Sequence, residues 1–535
     1  MIGVAANEDE LQIAAEFFEL FKTPWEPVVA GRRYSAIVST VGSGEHLDAA
    51  VLLLYGAGEH AIDASSGVRV AAVSGPAEID FNGQRVPIYG NLARFEAAGV
   101  PATLTSHGKP VDYGRTCGAR TIWRIGYDLF SEARHLLSAG QPAAFAEIPT
   151  LEYHIDVLRC ALIGSGVSFV EVPPRPAGFE FACCLTHDVD FFGIRRHAFD
   201  WTLAGFIARA SVGSLADFVR GRRPFSELVR NWAALVRLPA VLTRLASDFW
   251  HPFADYAFAD AGLPSTFFLV PFKGRAGVSP DGDVRHLRAV PYEIGDIADD
   301  VKSAVERGSE IAVHGIDAWR DADSGREERA QLTSVTGQKR AGVRMHWLYF
   351  NENSPQQLES AGFDYDSTYG YNDAVGYRAG TSQVFRIPAT RLMELPLSIM
   401  DSAMFFSDRM ALSRDDARER CQRILAQARR FGGTVVINWH DRSLVPERQW
   451  GQPYADLLSD VKDGDRAWFG TAAQTVDWFR WRRSIRFSRE AQGGLSIVAP
   501  ACDSSLPAAQ VTICRPDTTP ETHTIGRDAS LRVHL

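Results

Sequence analysis

Short apolar runs alternate with amphipathic stretches of helical period along most of this chain. Glu10 to Phe21 repeats its apolar positions at intervals of three and four, which predicts a helix. Tyr34 to Val41, Ala49 to Tyr55 and Val68 to Val73 read as strands. Tyr127 to Leu137 and Leu151 to Leu162 read as amphipathic helices, the second stopped by Gly164 and Gly166. Gly42-Ser43-Gly44 follows a strand, but Leu47 stands where a dinucleotide-binding fingerprint has its third glycine, so a plain turn is expected. Residues 1–170 therefore predict an α/β domain without a catalytic constellation, structural or ligand-binding in role.

Val172-Pro173-Pro174-Arg175-Pro176-Ala177-Gly178 follows, and its prolines predict a stiff extended linker over 171–179. A second series opens with the apolar run Phe181 to Leu185. Further strands are expected at Ser265 to Pro271, Glu310 to His314, Gly342 to Phe350, Gln383 to Ile387, Met393 to Ile399 and Thr434 to Asn438. Repeated βα units give a parallel sheet or barrel over 180–484, with function at the carboxyl ends of the strands. After residue 485 short strands with Pro, Gly and Ser predict a small β appendage, its tail from Pro516 polar and loosely ordered.

A helical insertion, roughly residues 193–263, separates the first two strands of the second series. Phe225, Leu228, Val229, Trp232, Leu235 and Val236 keep helical spacing. Between residues 191 and 250 there are nine Arg, no Lys and four acidic residues, a basic segment in a chain of net charge −9. It reads either as an amphipathic cap meeting anionic lipid or a phosphate-bearing substrate, or as a helical pair packed on the barrel with solvated arginines.

The acidic balance argues against nucleic acid as a partner, because phosphate binding needs a basic footprint. Seven cysteines without regular spacing predict reduced thiols, and Cys183-Cys184 fall in a buried strand. Met1 to Glu10 has no basic flank followed by an apolar stretch, and no run of about 18 apolar residues is found, which predicts no signal peptide and no ordinary spanning helix. The expectation is a cytoplasmic protein, touching the membrane at most peripherally from that side.

Polar residues cluster at the strand ends. Thr186-His187-Asp188-Val189-Asp190 puts two carboxylates on one face, since residues two apart on a strand project together. Such a pair repels unless a metal or a shared proton compensates. His314 ends a second strand, Arg344-Met345-His346-Trp347 a third, Asp364-Tyr365-Asp366-Ser367-Thr368 follows, and Trp439-His440-Asp441 ends the last.

In this order the motifs resemble the polysaccharide deacetylase (NodB-homology, carbohydrate esterase family 4) family over residues 180–480, in its D-x-D variant. Glu394-Leu395-Pro396-Leu397 also matches a strand of the family. The resemblance implies a distorted (β/α) barrel of polysaccharide-deacetylase type, preceded by the α/β domain and followed by the β appendage. It further implies metal-dependent hydrolysis of an acyl group, usually N-acetyl, from a sugar. Asp188 would be the general base, His440 the general acid, and Arg344 the group orienting Asp188, with Asp366 pairing with Arg344. Asp401 or Asp441 would support charged His440. Asp190 and His314 would be metal ligands, while Trp347 and Trp439 would wall a substrate pocket or belong to the core.

Two positions depart from the family. Ala318 replaces the second histidine of H-x-x-x-H, leaving Asp317 as the expected third ligand with His187 and His346 as lesser candidates, and His346 replaces a proline. A site of this kind suits zinc first, with iron, manganese or cobalt as alternatives. The implied partner is a carbohydrate or lipid-linked saccharide. The alternative function is a non-catalytic carbohydrate-binding or assembly protein on a degenerate deacetylase barrel.

Overall fold

Nine consecutive residues, Phe181–Val189 (β1), are buried, because this strand lies inside a sheet with parallel neighbours on both sides. Burial of side chains such as Phe181, Leu185 and Val189 stabilises the fold by about 1.5–3 kcal/mol each. The computed structural model describes residues 1–42, 47–73, 75–96, 102–282, 288–490 and 494–535. Ser43 and Gly44 of the expected turn lie outside the described residues.

The sheet continues through Ser265–Leu269 (β2), Glu310–Gly315 (β3), Val343–Met345 (β4), Tyr365–Asp366 (β5), Met393–Glu394 (β6), Ile399–Met400 (β7) and Thr434–Asn438 (β8). Their order is β6-β5-β4-β3-β2-β1-β8-β7, every neighbouring pair parallel. This is an α/β, barrel-like arrangement. It is open: among the described residues no ladder joins β6 to β7, where Pro396 breaks the single strand expected over Met393 to Ile399. The strand expected over Gly342 to Phe350 likewise stops at Met345, where the chain turns. Phe385–Arg386 is shorter than expected and pairs antiparallel beyond β6, and Ala467–Phe469 pairs with the start of β1.

The first 170 residues build a six-stranded sheet around Ile2–Ala5, Tyr34–Ser39 and Ala49–Tyr55, parallel except for its Asp112–Cys117 edge. The helices Glu8–Phe21, Leu129–Ser138 and Thr150–Gly164 share one continuous apolar core with the barrel. Polar contacts reinforce the seam. Glu16 accepts a bidentate pair of bonds from Arg483 at 2.8 and 2.7 Å and a third bond from the Arg386 N–H at 2.8 Å. Arg482, 1% exposed, donates to the carbonyls of Val172, Glu19 and Leu20 and to the Gln383 side chain.

The proline-rich segment is fastened along its length. Just before it, Phe169–Glu171 pairs with Ala509–Cys514 of the appendage; within it, the Val172 N–H donates to Lys22, the Gly433 N–H to Pro174 and the Ala177 N–H to Ala508. The tail from Pro516 is not loose: Glu521–Ile525 pairs with Ala509–Cys514, Ala529–Val533 pairs with Leu495–Ala499, and Ile525 and Val533 are buried.

In the insertion, Trp201–Val219 forms one continuous helical run of 19 residues with a π-type turn at Arg209–Gly213. By length and composition it could cross a membrane, correcting the expectation that nothing in the chain could; Arg209 and Asp217 interrupt the apolar run that was sought. The helix Phe225–Leu242 packs beside it, over a small core of Ile194, Phe206, Ala210, Ala234, Leu238, Val241 and Trp250.

Candidate metal and catalytic centre

The period of two along β1 sorts its polar residues. Thr186 and Asp188 face one side, and Asp190 follows just past the strand end; His187 faces the other. There the His187 ring is fully buried, stacked on Tyr256 with centroids 3.6 Å apart, its nitrogens 3.0 Å from the Trp439 carbonyl and 3.1 Å from Asp260. These contacts make it a core residue, not a ligand.

Asp188 is held from both sides. Arg344 Nη1 donates to Oδ1 at 2.9 Å and Asn438 Nδ2 to Oδ2 at 2.7 Å. Arg344, fully buried, is fixed in turn by Thr186 Oγ1, the Ser367 carbonyl and Ser367 Oγ, with its guanidinium 4.2 Å from the Phe268 ring centre. Burial works to raise the Asp188 pKa, but Arg344, followed by His314 and His440, holds it below its ordinary value. Asn438 was not singled out from the sequence; the signal was its place at a strand end, two residues before His440.

Asp190 Oδ1 lies 3.4 Å from His314 Nε2 and 3.5 Å from His346 Nε2, all three ligand atoms within 4.8 Å of one another. His314 Nδ1 is 3.0 Å from the Arg344 carbonyl and must be the donor there, since a carbonyl only accepts. Its Nε2 is thereby aimed at a carboxylate oxygen of Asp190, and that oxygen is buried without a hydrogen-bond partner among the described residues. Burial pushes the His346 imidazole down to about 3. Burial also acts against the charged form of Asp190, but His346 and then His314 keep its carboxyl well below the usual carboxylate range. A carboxylate oxygen and two imidazole nitrogens converging this closely fit a divalent cation, and the backbone acceptor on His314 Nδ1 is the support that metal-bound histidines usually have.

Asp317, expected as the third ligand, is not part of this group: its carboxylate accepts the Val278 N–H at 2.8 Å. Ala318 is fully buried, and a Cβ at Gly325 of the overlying helix would stand 3.4 Å from its own, so the packing there leaves little room for an imidazole. His346 fills the set from β4 instead. The chain turns sharply behind it, with Trp347 and Leu348 in the left-handed region at φ 65° and 54°, a conformation that costs bulky residues energy and concentrates at functional sites.

His440 stands at the end of β8 with its Nδ1 2.6 Å from Asp401 Oδ1, while its N–H donates to Asp401 Oδ2 at 2.8 Å. Burial would lower its pKa, but fully buried Asp401, then Asp190 and Asp188, raise it to about 10. Asp401 is thus the supporting carboxylate. Asp441 instead accepts the N–H groups of Phe191 and Phe192, anchoring the loop that carries Asp190, and burial raises its pKa to about 6.

Asp366 does not pair with Arg344. Its Oδ1 accepts from the Thr368 N–H and hydroxyl, and its carboxyl shares a hydrogen bond with that of Glu394, whose Oε1 accepts the Tyr369 N–H. Burial raises both pKa values, Asp366 to about 6 and Glu394 well above its ordinary value, the latter also through Asp366. Trp439 is 1% exposed and packs on Tyr454 and Phe405, so it is core and not a pocket wall. Trp347 is half-buried beside the metal-type cluster, and its carbonyl accepts from Asn372.

No family model matches this chain, and no curated protein does. Solved structures similar to it include a "putative polysaccharide deacetylase" from Mycobacterium smegmatis, at 19% identity and TM-score 0.33 over 58% of this chain and 93% of that one. Puue allantoinase is similar at 17% identity and TM-score 0.34, over 58% and 94%. A CE4 family pseudoenzyme from Bacillus anthracis is similar at 10% identity and TM-score 0.25, over 57% and 70%.

Proposed function

We propose that this chain is a metal-dependent deacylase of the polysaccharide deacetylase class, removing an N-acyl group, acetyl first among them, from a sugar or saccharide precursor. The observation that carries the reading is the juxtaposition of a locked carboxylate, Asp188, with the Asp190–His314–His346 cluster, completed by the His440–Asp401 pair. One carboxylate and two imidazoles suit zinc, with iron, manganese or cobalt as alternatives. Such an ion supplies acidified water and a polarised acyl carbonyl, the chemistry that a carboxylate of low basicity needs in its partner.

The chain's own groups divide the remaining work. Asp188 stays ionised and is aimed by Arg344 and Asn438, so it takes the proton from the attacking water without reorienting. His440 is charged at neutral pH, and with Nδ1 bound to Asp401 its Nε2 proton is the one available to the leaving amine. Half-buried Trp347 offers an aromatic face to a sugar ring. The alternative of a non-catalytic carbohydrate-binding protein rested on Ala318, and His346 restores the ligand count that Ala318 removes.

Metal analysis of the purified protein, combined with acetate release from a panel of N-acetylated sugars before and after chelation, tests this reading. Bound divalent metal and chelator-sensitive release are expected. His346→Ala should lose the metal while Asp317→Ala keeps it; the reverse result would place the third ligand at Asp317. Metal-free protein that binds sugars and releases no acetate would favour the non-catalytic alternative.

A further inference from the structure

The helical insertion wears its apolar residues on the outside. Of sixteen large hydrophobic side chains exposed among the described residues, thirteen lie between Phe199 and Phe258. They are ordered. Along the run Trp201–Val219, the positions Trp201, Ala204, Ala208, Val212, Leu215 and Val219 recur at intervals of three and four and are all exposed, while Phe206, Ala210 and Ser214 on the opposite face are buried. Along Phe225–Leu242 the exposed positions Phe225, Val229, Trp232 and Val236 form a second stripe at intervals of four and three. Phe218 and Phe225 join the stripes, their ring centres 5.6 Å apart.

Cations border these stripes. Arg220, Arg230, Arg237 and Arg244 are exposed, and none of them makes an ion pair among the described residues. Only 22% of the most apolar stretch of Trp201–Val219 is buried, so this is not a core helix. Exposed Trp and Phe beside unpaired arginines and few carboxylates are the composition of a surface that enters the headgroup layer of an anionic bilayer.

We infer that this face is a membrane-docking surface whose occupant is an anionic lipid bilayer, with both helices lying in the interface and not crossing it. Crossing would strip Phe206 and Ala210 from their small core and carry Arg209, 3.8 Å from Glu447, and Asp217 into hydrocarbon. The surface is fixed to the rim of the candidate centre. Arg442, two residues after His440, lies over Trp250 and Phe191, and Asp441 holds the Phe191–Phe192 loop that leads into the insertion. Docking therefore brings the centre to the lipid surface, where a lipid-linked saccharide is within reach; that last step alone rests on the deacylase reading.

Flotation of the full chain with phosphatidylcholine vesicles, with and without a one-quarter share of phosphatidylglycerol, tests docking without using turnover. Recovery on the anionic vesicles alone, falling with added salt, is expected. Arg230→Glu/Arg237→Glu and, separately, Val229→Ser/Trp232→Ser/Val236→Ser should each weaken that binding by about tenfold or more while circular dichroism stays unchanged. Equal recovery on neutral and anionic vesicles, or unchanged binding by both variants, would overturn the inference. So would association that resists carbonate washing, which means a spanning helix. A dimer in light scattering that the serine variant dissolves would assign the patch to a second copy of this chain.

Discussion

Asp188 and Arg344 are each almost without contact to water and lie 2.9 Å apart, so the contributions of this pair to stability and to chemistry can be separated by substitution. Arg344→Leu leaves an unpaired carboxylate in the interior and should lower unfolding stability by about 3–5 kcal/mol in urea titrations. Asp188→Asn keeps the bond from Arg344 and removes the basic site; turnover should drop by about 10²–10⁴-fold with metal content unchanged. At His440 the sign of the pH effect follows from its partner. Its charged form is favoured by Asp401 up to about pH 10. Asp401→Asn should therefore move the alkaline limb of the pH–rate profile down by about 1–3 units. An unmoved limb would take the acid role away from His440.

Strand ends bring the chemistry together, and the alternation along each strand decides which residues take part. The order of the motifs on successive βα units was legible in the sequence, as were the partnership of Arg344 with Asp188 and the burial of Cys183 and Cys184. Trp439, left open between pocket wall and core, takes the core, and the rule that sends His187 away from Asp188 also sends Trp439 away from Asn438 and His440. His346 stood in the sequence only as a lesser candidate beside Asp317, because no residue type there announces the sharp turn, left-handed at Trp347 and Leu348, that follows it.

The Asp366–Glu394 pair between β5 and β6 was hidden for a different reason: nothing local shows that two carboxyls from separate strands will share one buried space. It carries its own prediction. Both pKa values are raised by folding, so the native state binds more protons than the unfolded chain from about pH 4 upward, and stability falls as pH rises through Asp366's value of about 6 and beyond. Glu394→Gln can still accept the Tyr369 N–H and donate to Asp366. It should flatten that slope and be the more stable protein at pH 8, as read from denaturant midpoints.

At the level of the whole molecule, the fastened linker and the shared core make the first 170 residues and the barrel one mechanical unit. Arg482 ties them through three carbonyls from the first domain and the linker and one side chain of the barrel. Arg482→Met leaves those acceptors buried without donors and should cost about 3 kcal/mol or more. In calorimetry one transition should move to lower temperature as a whole; a split into two would show that the domains unfold independently.

The contact between Glu16 and the Arg386 N–H has a consequence for aggregation. An open sheet ends in strands whose backbone groups are free to recruit another chain, the hazard that closed barrels avoid. Here Phe385–Arg386 is such an end, only two residues long, and its Arg386 N–H is already taken by a carboxylate that Arg483 holds in place. The first domain is therefore a guard on the edge of the second, and a barrel produced without it would carry an unprotected seam for polymerisation.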